Sequence, residues 1–173
     1  SNLKSLIRFS KLKKSPISID IIISNNLKSK GLNLGKIFKI KKKIFDFKRK
    51  ALAEKKILYE LKKKKINLIC LAGFMKILSK NFIKKFNGKI LNIHPSLLPK
   101  FKGLNTHKRA IKNKEKYSGC TVHFVNSKLD SGKIILQKKV RINKNETPST
   151  LAKKILIQEH KLYPKAILKI FNL

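Results

Sequence analysis

Two short apolar runs restrict this chain more than anything else in it: ISIDIIIS at Ile17–Ser24 and NLICLA at Asn67–Ala72. Neither alternates polar with apolar residues, so neither suits a strand with one face in water. Both suit strands covered on both faces, the habit of parallel sheets. Between them lies Lys50–Lys64, where Ala51, Leu58 and Leu61 share one side and lysines the other, as an amphipathic helix requires. A third strand is expected over Lys89–Ile93, ended by Pro95, which holds its predecessor in extended backbone.

The remaining elements follow from local signals. Asn2–Phe9 reads as a helix that starts at or before the first residue, and Asn25–Gly35 as turns with a short helix. Ile37–Ile40 reads as a short strand and Gly73–Leu78 as a loop. Ser79 is a fitting N-cap for a helix carrying Phe82, Ile83 and Phe86. Thr106–Asn113 reads as a helix, and Gly119–Val125 and Lys133–Arg141 alternate like strands at a mixed sheet edge. Thr147 and Pro148 open the last helix, whose buried side is expected to hold Leu151, Ile155, Leu162, Ile167 and Phe171. Pro164 should kink or restart that helix. Strands alternate with helices through most of the chain, which predicts an α/β class with a mainly parallel, open sheet and flanking helices. At 173 residues and 42% hydrophobic, without repeats or a linker, the chain is expected to form one domain with a sizeable core.

Charge is extreme: 44 lysines and arginines against 8 acids, a formal +36. Such a balance raises nucleic acid or an anionic membrane as partners. Here the lysines recur on the polar side of nearly every element, alongside abundant Ile, Leu and Asn, and no aromatic-interleaved basic motif appears. The excess reads as compositional drift of an AT-rich coding sequence. Nucleic-acid affinity is expected to be weak, non-specific and lost steeply with salt. No run is long and apolar enough to span a bilayer, and SNLKSLIRF lacks the build of a signal peptide. Cys70 and Cys120 lie in apolar runs and read as buried, reduced thiols, which fits the cytoplasm.

The chemistry gathers at Leu91–Pro99, LNIHPSLLP. Asn92 and His94 are two apart, so on a strand they face the same side. That sets an amide donor and an imidazole at a strand's carboxyl end, the edge where open α/β sheets bind ligands. Asn92 can hold an oxyanion; His94 can move a proton or ligate a metal. Taken alone, Asn-x-His also fits an ordinary loop histidine. Among the acids, Asp46, Glu54, Glu60 and Glu115 read as solvated, Asp20 as inside or beside a strand, and Glu146 as preceding a helix. Asp130, in the turn LDSGK, and Glu159, in IQEHKLYP, remain; each has a plain alternative, as turn former and as solvated helix face. His94, His107, His123 and His160 form no metal-ligand spacing, and no Ser or Cys sits in a nucleophile elbow. Polarisation and proton transfer are the chemistry these residues allow.

LAGFMKILS (71–79), LNIHPSLLPKFKGLNTHKRAI (91–111), GCTVHFVNSKLDSGKIILQKKV (119–140) and IQEHKLYP (157–164) together resemble the phosphoribosylglycinamide formyltransferases, over almost the whole chain. The resemblance implies a Rossmann-like fold of the formyltransferase type. It implies transfer of a formyl group from 10-formyltetrahydrofolate, as co-substrate, to the amine of glycinamide ribonucleotide in purine synthesis, with no metal. Asn92, His94 and Asp130 would be catalytic, with Asp130 favouring the protonated form of His94. Phe74, Met75, Lys76, Ile77 and Leu78 would form the pterin-side loop, through backbone groups of Lys76 and Leu78, and Val125, Asn126 and the residues up to Asp130 the facing wall. Ser1, Asn2 and Glu159 would meet the ribonucleotide.

Parts of the pattern also resemble methionyl-tRNA formyltransferase and formyltetrahydrofolate deformylase. GLNTHKRA, and a chain that ends at Leu173 without a further tRNA-binding domain, favour the ribonucleotide enzyme. A basic nucleic-acid-binding domain with a decayed active site is the alternative of another class. Monomer and homodimer both fit the resemblance. Asn105, Lys133 and Lys76 depart from the family pattern at a histidine, a proline and an arginine, and Pro16–Phe45 is shortened. The family's first strand and glycine-rich turn are missing ahead of Ser1. The expectation is that the true product starts upstream, and that without this strand the sheet has a gap beside Ile17–Ser24 or NLICLA.

Overall fold

Ser1 caps the first helix, α1 (Asn2–Ser10), its hydroxyl accepting from the Lys4 N–H. The computed structural model describes residues 1–173. After α1 come β1 (Ile21–Ser24), α2 (Gly31–Ile37), β2 (Lys41–Ile44), α3 (Lys50–Lys63), β3 (Leu68–Leu71), α4 (Lys80–Lys85) and β4 (Lys89–His94). Then follow α5 (Thr106–Lys112), β5 (Tyr117–Phe124), β6 (Ile134–Arg141) and α6 (Pro148–Ile170). β1 and β2 pair in parallel as one sheet; the other runs β3-β4-β5-β6, with β3 parallel to β4 and the last two pairings antiparallel. No helix is long and apolar enough to cross a membrane.

β4 is covered on both faces, as its apolar content predicts. Leu91 and Ile93 pack with Cys120 and Val122 of β5 and with Leu151, Ile155 and Tyr163 of α6. Ile90, on the opposite face, packs with Ile57 and Leu61 of α3 and with Phe82 and Phe86 around α4. Ser79 caps α4, accepting from the Phe82 N–H, and Thr147 caps α6 by a reciprocal exchange with Thr150. α6 does not restart at Pro164; Tyr163, Ala166 and Ile167 are fully buried there, so packing on both sides of the proline holds the helix.

Four expectations shift. Ile37–Ile40 is not a strand: α2 runs to Ile37, and the strand is the lysine-rich β2. Phe38 and Ile40 instead pack against the cluster of Ile7, Ile22 and Leu32. The paired part of ISIDIIIS is only Ile21–Ser24, because Ile17 and Ile19 turn to the core without a neighbouring strand. The buried face of α3 is Ala53, Glu54, Ile57 and Leu61, whereas Ala51 is exposed and Leu58 half-buried. Glu54 is therefore not solvated. It is 5% exposed, and its carboxylate accepts from both the N–H and the hydroxyl of Ser79.

β1 and β3 share no hydrogen bonds. Residues of both strands line one cleft of about 500 Å³, in which 20 of the 26 lining residues are hydrophobic, among them Leu3, Leu6, Ile19, Ile23, Leu68 and Cys70. The free edges of the two sheets thus meet across an apolar gap.

Tyr163 ties α6 to the carboxyl ends of two strands. Its hydroxyl, fully buried, shares its one proton between the carbonyls of Leu71 (3.0 Å) and Leu91 (3.1 Å). Replacing Tyr163 by Phe deletes the donor and leaves the carbonyls in a dry site. The expected loss is about 1–3 kcal/mol of unfolding free energy, read by urea denaturation; an unchanged midpoint and slope would show that this bond carries no stability.

Candidate active site

The carboxyl end of β4 presents Asn92 and His94, and β5 returns antiparallel beside it. The register sets Asn92 opposite His123 and His94 opposite Thr121. After β5 the chain turns through Asn126, whose Oδ1 accepts from the Lys128 N–H (3.0 Å) and the Ser131 hydroxyl (3.1 Å). That turn delivers Asp130, in left-handed backbone at φ 44, back over the end of β4. Asn92, His94 and Asp130 are thus brought to one end of the sheet, with His123 between Asn92 and Asp130.

Their contacts fix their states. His94 Nε2 lies 2.9 Å from the Phe101 carbonyl and Nδ1 lies 3.2 Å from Asp130 Oδ2. A carbonyl can only accept, so Nε2 carries a proton. The Asp130 contact is then attractive only if a further proton lies between Nδ1 and Oδ2. Asp130 Oδ2 also accepts from the Gly103 N–H at 2.9 Å. Burial alone would raise the Asp130 carboxyl; contacts with His123 and Gly103 and the charge available on His94 outweigh it and hold the carboxyl below its ordinary value. For His94 the balance runs against expectation. Burial lowers it, the Phe101 carbonyl and Asp130 raise it, and burial wins. A neighbouring carboxylate therefore does not make His94 a permanent cation, although only the protonated ring donates to both the Phe101 carbonyl and Asp130 Oδ2.

Phe74–Leu78 leave the same sheet edge, since Leu71 pairs with Asn92. The backbone groups of Phe74–Leu78 make no hydrogen bond within the chain, so donors and acceptors stand free on this loop. Met75, Lys76 and Ile77 are exposed, Phe74 packs edge-on against Phe47 at 5.4 Å, and Leu78 anchors the loop in the core. Across the edge, the Val125 N–H donates to the Ile90 carbonyl (2.8 Å) and pins the start of the opposite wall, on which Asn126 is exposed. Glu54, by holding Ser79, anchors the far end of the loop.

Ser1, Asn2 and Glu159 also meet. The Asn2 amide donates to Glu159 Oε2 at 2.8 Å, and Asn2 Oδ1 is buried without a partner. Burial pushes the Glu159 carboxyl above its ordinary value, against the pull of the Asn2 amide. Glu159 lies one turn of α6 before Tyr163, whose hydroxyl touches the Leu71 carbonyl, so this pair flanks the same edge. Asn105, in place of the family's histidine, takes left-handed backbone (φ 58) ahead of α5, a conformation asparagine tolerates. His123, Gly103 and Phe101 are the residues that sequence reasoning missed. Only the pairing register brings them in, and no local motif carries it.

A family profile described as formyl transferase matches residues 1–167. The human trifunctional purine biosynthetic protein adenosine-3 is 41% identical over 96% of this chain, which spans 17% of that protein. The phosphoribosylglycinamide formyltransferase of Haemophilus influenzae is 39% identical, covering 96% of this chain and 80% of its own length. The crystal structure of the phosphoribosylglycinamide formyltransferase from Brucella melitensis superposes with a TM-score of 0.92 at 41% identity, over 98% of this chain and 88% of that one.

Burial holds three histidines, His94, His107 and His160, below the ordinary 6.5, and His107 Nδ1 and His160 Nε2 have no partner. The unfolded chain takes up these protons at higher pH than the fold does. The stability they supply is full above 6.5 and is lost as pH falls through their lower folded values. Glu159, raised by burial, opposes this in its own window above 4.5. Melting temperature is expected to fall from about pH 7.5 to about pH 5.5, and to fall less in a His107→Gln, His160→Gln double variant. An equal fall in both proteins would remove these two histidines from the account.

Proposed function

The chain belongs to the phosphoribosylglycinamide formyltransferase family, and we propose that it moves the formyl group of 10-formyltetrahydrofolate onto the amine of glycinamide ribonucleotide. The observation that carries the proposal is the meeting of Asn92, His94 and Asp130 at the carboxyl end of β4, with His94 Nδ1 3.2 Å from Asp130 Oδ2.

The chemistry follows from those contacts. As the amine nitrogen bonds to the formyl carbon, the formyl oxygen becomes an oxyanion. Asn92 Nδ2 has two N–H groups, one turned to His123 and one left to donate to that oxygen. Both nitrogens of His94 are engaged, so it acts through the proton it shares with Asp130. Asp130 Oδ2 is occupied by donors and Oδ1 is not; Oδ1 takes the amine proton through water and returns one to the departing folate nitrogen. The unpaired backbone of Phe74–Leu78 suits the polar edge of a pterin, with Val125 and Asn126 facing it. Asn2 Oδ1 and the Glu159 carboxyl suit the amine or ribose hydroxyls of the ribonucleotide beside Ser1. The thiols of Cys70 and Cys120, pushed by burial to about 12 and left unpaired, support a cytoplasmic setting.

We further infer that the cleft between β1 and β3 takes one more strand, supplied by the polypeptide ahead of Ser1 and turning into α1. Two unpaired strand edges and an apolar lining support it. With that strand the two sheets become one, and residues 1–173 belong to a single formyltransferase domain. A turn from the strand into α1 would add backbone N–H groups for the substrate's phosphate at the helix start.

Two measurements test these readings. Mixing protein, 10-formyltetrahydrofolate and glycinamide ribonucleotide should release folate only when the ribonucleotide is present; release without it would identify a hydrolase. Asn92→Ala should lower turnover about 100- to 1,000-fold, and His94→Ala and Asp130→Ala at least about 100-fold, with the fold intact. A well-folded Asp130→Ala protein at near-normal turnover would overturn its role. In the second, a chain extended by the upstream codons should melt higher and bind the ribonucleotide more tightly, with folate affinity less altered. Equal stability and affinity in the two chains would refute the additional strand.

A further inference from the structure

His123 is 2% exposed on β5, directly across from Asn92. Its Nδ1 lies 2.8 Å from the carbonyl of Phe124. That carbonyl accepts, so Nδ1 carries the proton and the neutral ring keeps its lone pair on Nε2. Nε2 is 3.4 Å from Asn92 Nδ2 and 3.7 Å from Asp130 Oδ1. The first is within reach of an amide N–H; the second is too long for a hydrogen bond. The backbone is built around the anchor of this ring. A Cβ at Gly132 would come within 1.7 Å of the Phe124 oxygen and 3.5 Å of His123 Nδ1, so only glycine lets the returning chain approach there. The Phe124 N–H in turn donates to the Lys133 carbonyl at 2.9 Å.

We propose that His123 is a positioning residue that sets the Asn92 amide: Nε2 accepts one Asn92 N–H, which turns the other N–H toward the reacting oxygen and keeps the amide oxygen out of its place. This rests on the formyl-transfer function proposed above. An asparagine amide can otherwise flip, and a flipped Asn92 would aim a carbonyl oxygen at a developing oxyanion. His123 prevents the flip because its tautomer is fixed from the far side: an Asn92 oxygen would meet the Nε2 lone pair. The same ring stands beside Asp130 Oδ1, 3.7 Å away. His123 thereby joins the group that stabilises the oxyanion to the group that moves the proton, and touches neither substrate.

Two conservative variants separate this role from a structural one. His123→Gln puts an amide end where Nε2 was and gives up the bond to Phe124. His123→Asn puts its amide where Nδ1 was, keeps that bond and loses the reach to Asn92. The proposal expects His123→Gln to keep turnover within about tenfold of the wild type, while His123→Asn falls about 100-fold with KM for both substrates little changed. The reverse order, or equal losses that track the melting temperature, would overturn it. A readout independent of activity is long-range proton–nitrogen NMR of the resting protein. His123 should appear with Nδ1 protonated and Nε2 bare, and Asn92→Ala should shift the Nε2 resonance. A protonated Nε2, or no shift, also overturns the proposal, whereas an inactive wild type with the expected spectrum would fault the formyl-transfer reading alone.

Discussion

Asp130 can meet His94 only because β5 lies antiparallel against β4 in one register. Asn92 opposite His123 and His94 opposite Thr121 fix where β5 ends and so where the following turn begins. A slip by one residue would send every side chain of β5 to the other face. His123 would leave the site, and Cys120 and Val122, both fully buried, would lose their places against α6. The register that buries the core and the register that assembles the candidate site are therefore the same constraint. Burying Cys120 and Val122 stabilises the pairing that brings the polar groups together. Thr121 belongs to both: its hydroxyl donates to the Ser96 carbonyl (2.7 Å) and accepts from the Leu98 N–H (3.1 Å), fastening the loop after His94 to β5.

How much of this could be read from residues alone depended on the range of the signal. Asn92 and His94 were legible because strand parity is local: two apart means one face. Ser79 and Thr147 were legible because a cap acts over three residues. Asp130 was visible only through the family resemblance, since Asp-Ser-Gly in a turn has an ordinary use. His123 was hidden because its meaning lies in a cross-strand pairing far from it in sequence. Glu54 was misread for the same reason; its partner Ser79 is in another element, and the lysines around it describe only the outer face of α3. β2 was missed because Lys41, Lys42 and Lys43 do not look like a strand. An edge strand is held by its backbone bonds to β1 and can carry exposed lysines, which also discourage pairing with other chains.

The charge imbalance looks different once the acids are located. Asp20 accepts from Ser18, Asp46 from the Lys48 N–H, Glu54 from Ser79 and Glu159 from Asn2, while Glu60, Glu115 and Glu146 each pair with a lysine. Asp130 completes the eight. Asp20 and Asp46 are exposed with only a local hydrogen bond; the other six have a partner in another part of the chain or a lysine. The Lys100–Glu115 pair is exposed and contributes little, about 0–1 kcal/mol. Glu54, Asp130 and Glu159 are different: each is buried, so removing its partner would strand a polar group in a dry place, at a cost of about 1–3 kcal/mol or more. A chain dominated by lysine thus concentrates its few acids where they have partners, and three of them where burial makes the partner indispensable.

The two halves of the site rest on different supports. The wall and loop proposed for the folate grow from the β3–β4 and β5–β6 pairings, the second with a bulge between Val122 and His123, and from Glu54, which pins the loop's far end to α3. Ser1 and Asn2 stand at the start of α1, and α1 faces the apolar cleft with Leu3 and Leu6. Leu6 is also buried with the apolar side of α6, and Ile7 with Ile22 and Leu32, while Ser5 donates to the His160 carbonyl and Asn2 to Glu159. α1 is therefore held against α6 by apolar and polar contacts together, and the Asn2–Glu159 bond fastens its first turn. The proposed ribonucleotide side accordingly rests on the packing of one helix against another, and the proposed folate side on strand pairings and on Glu54.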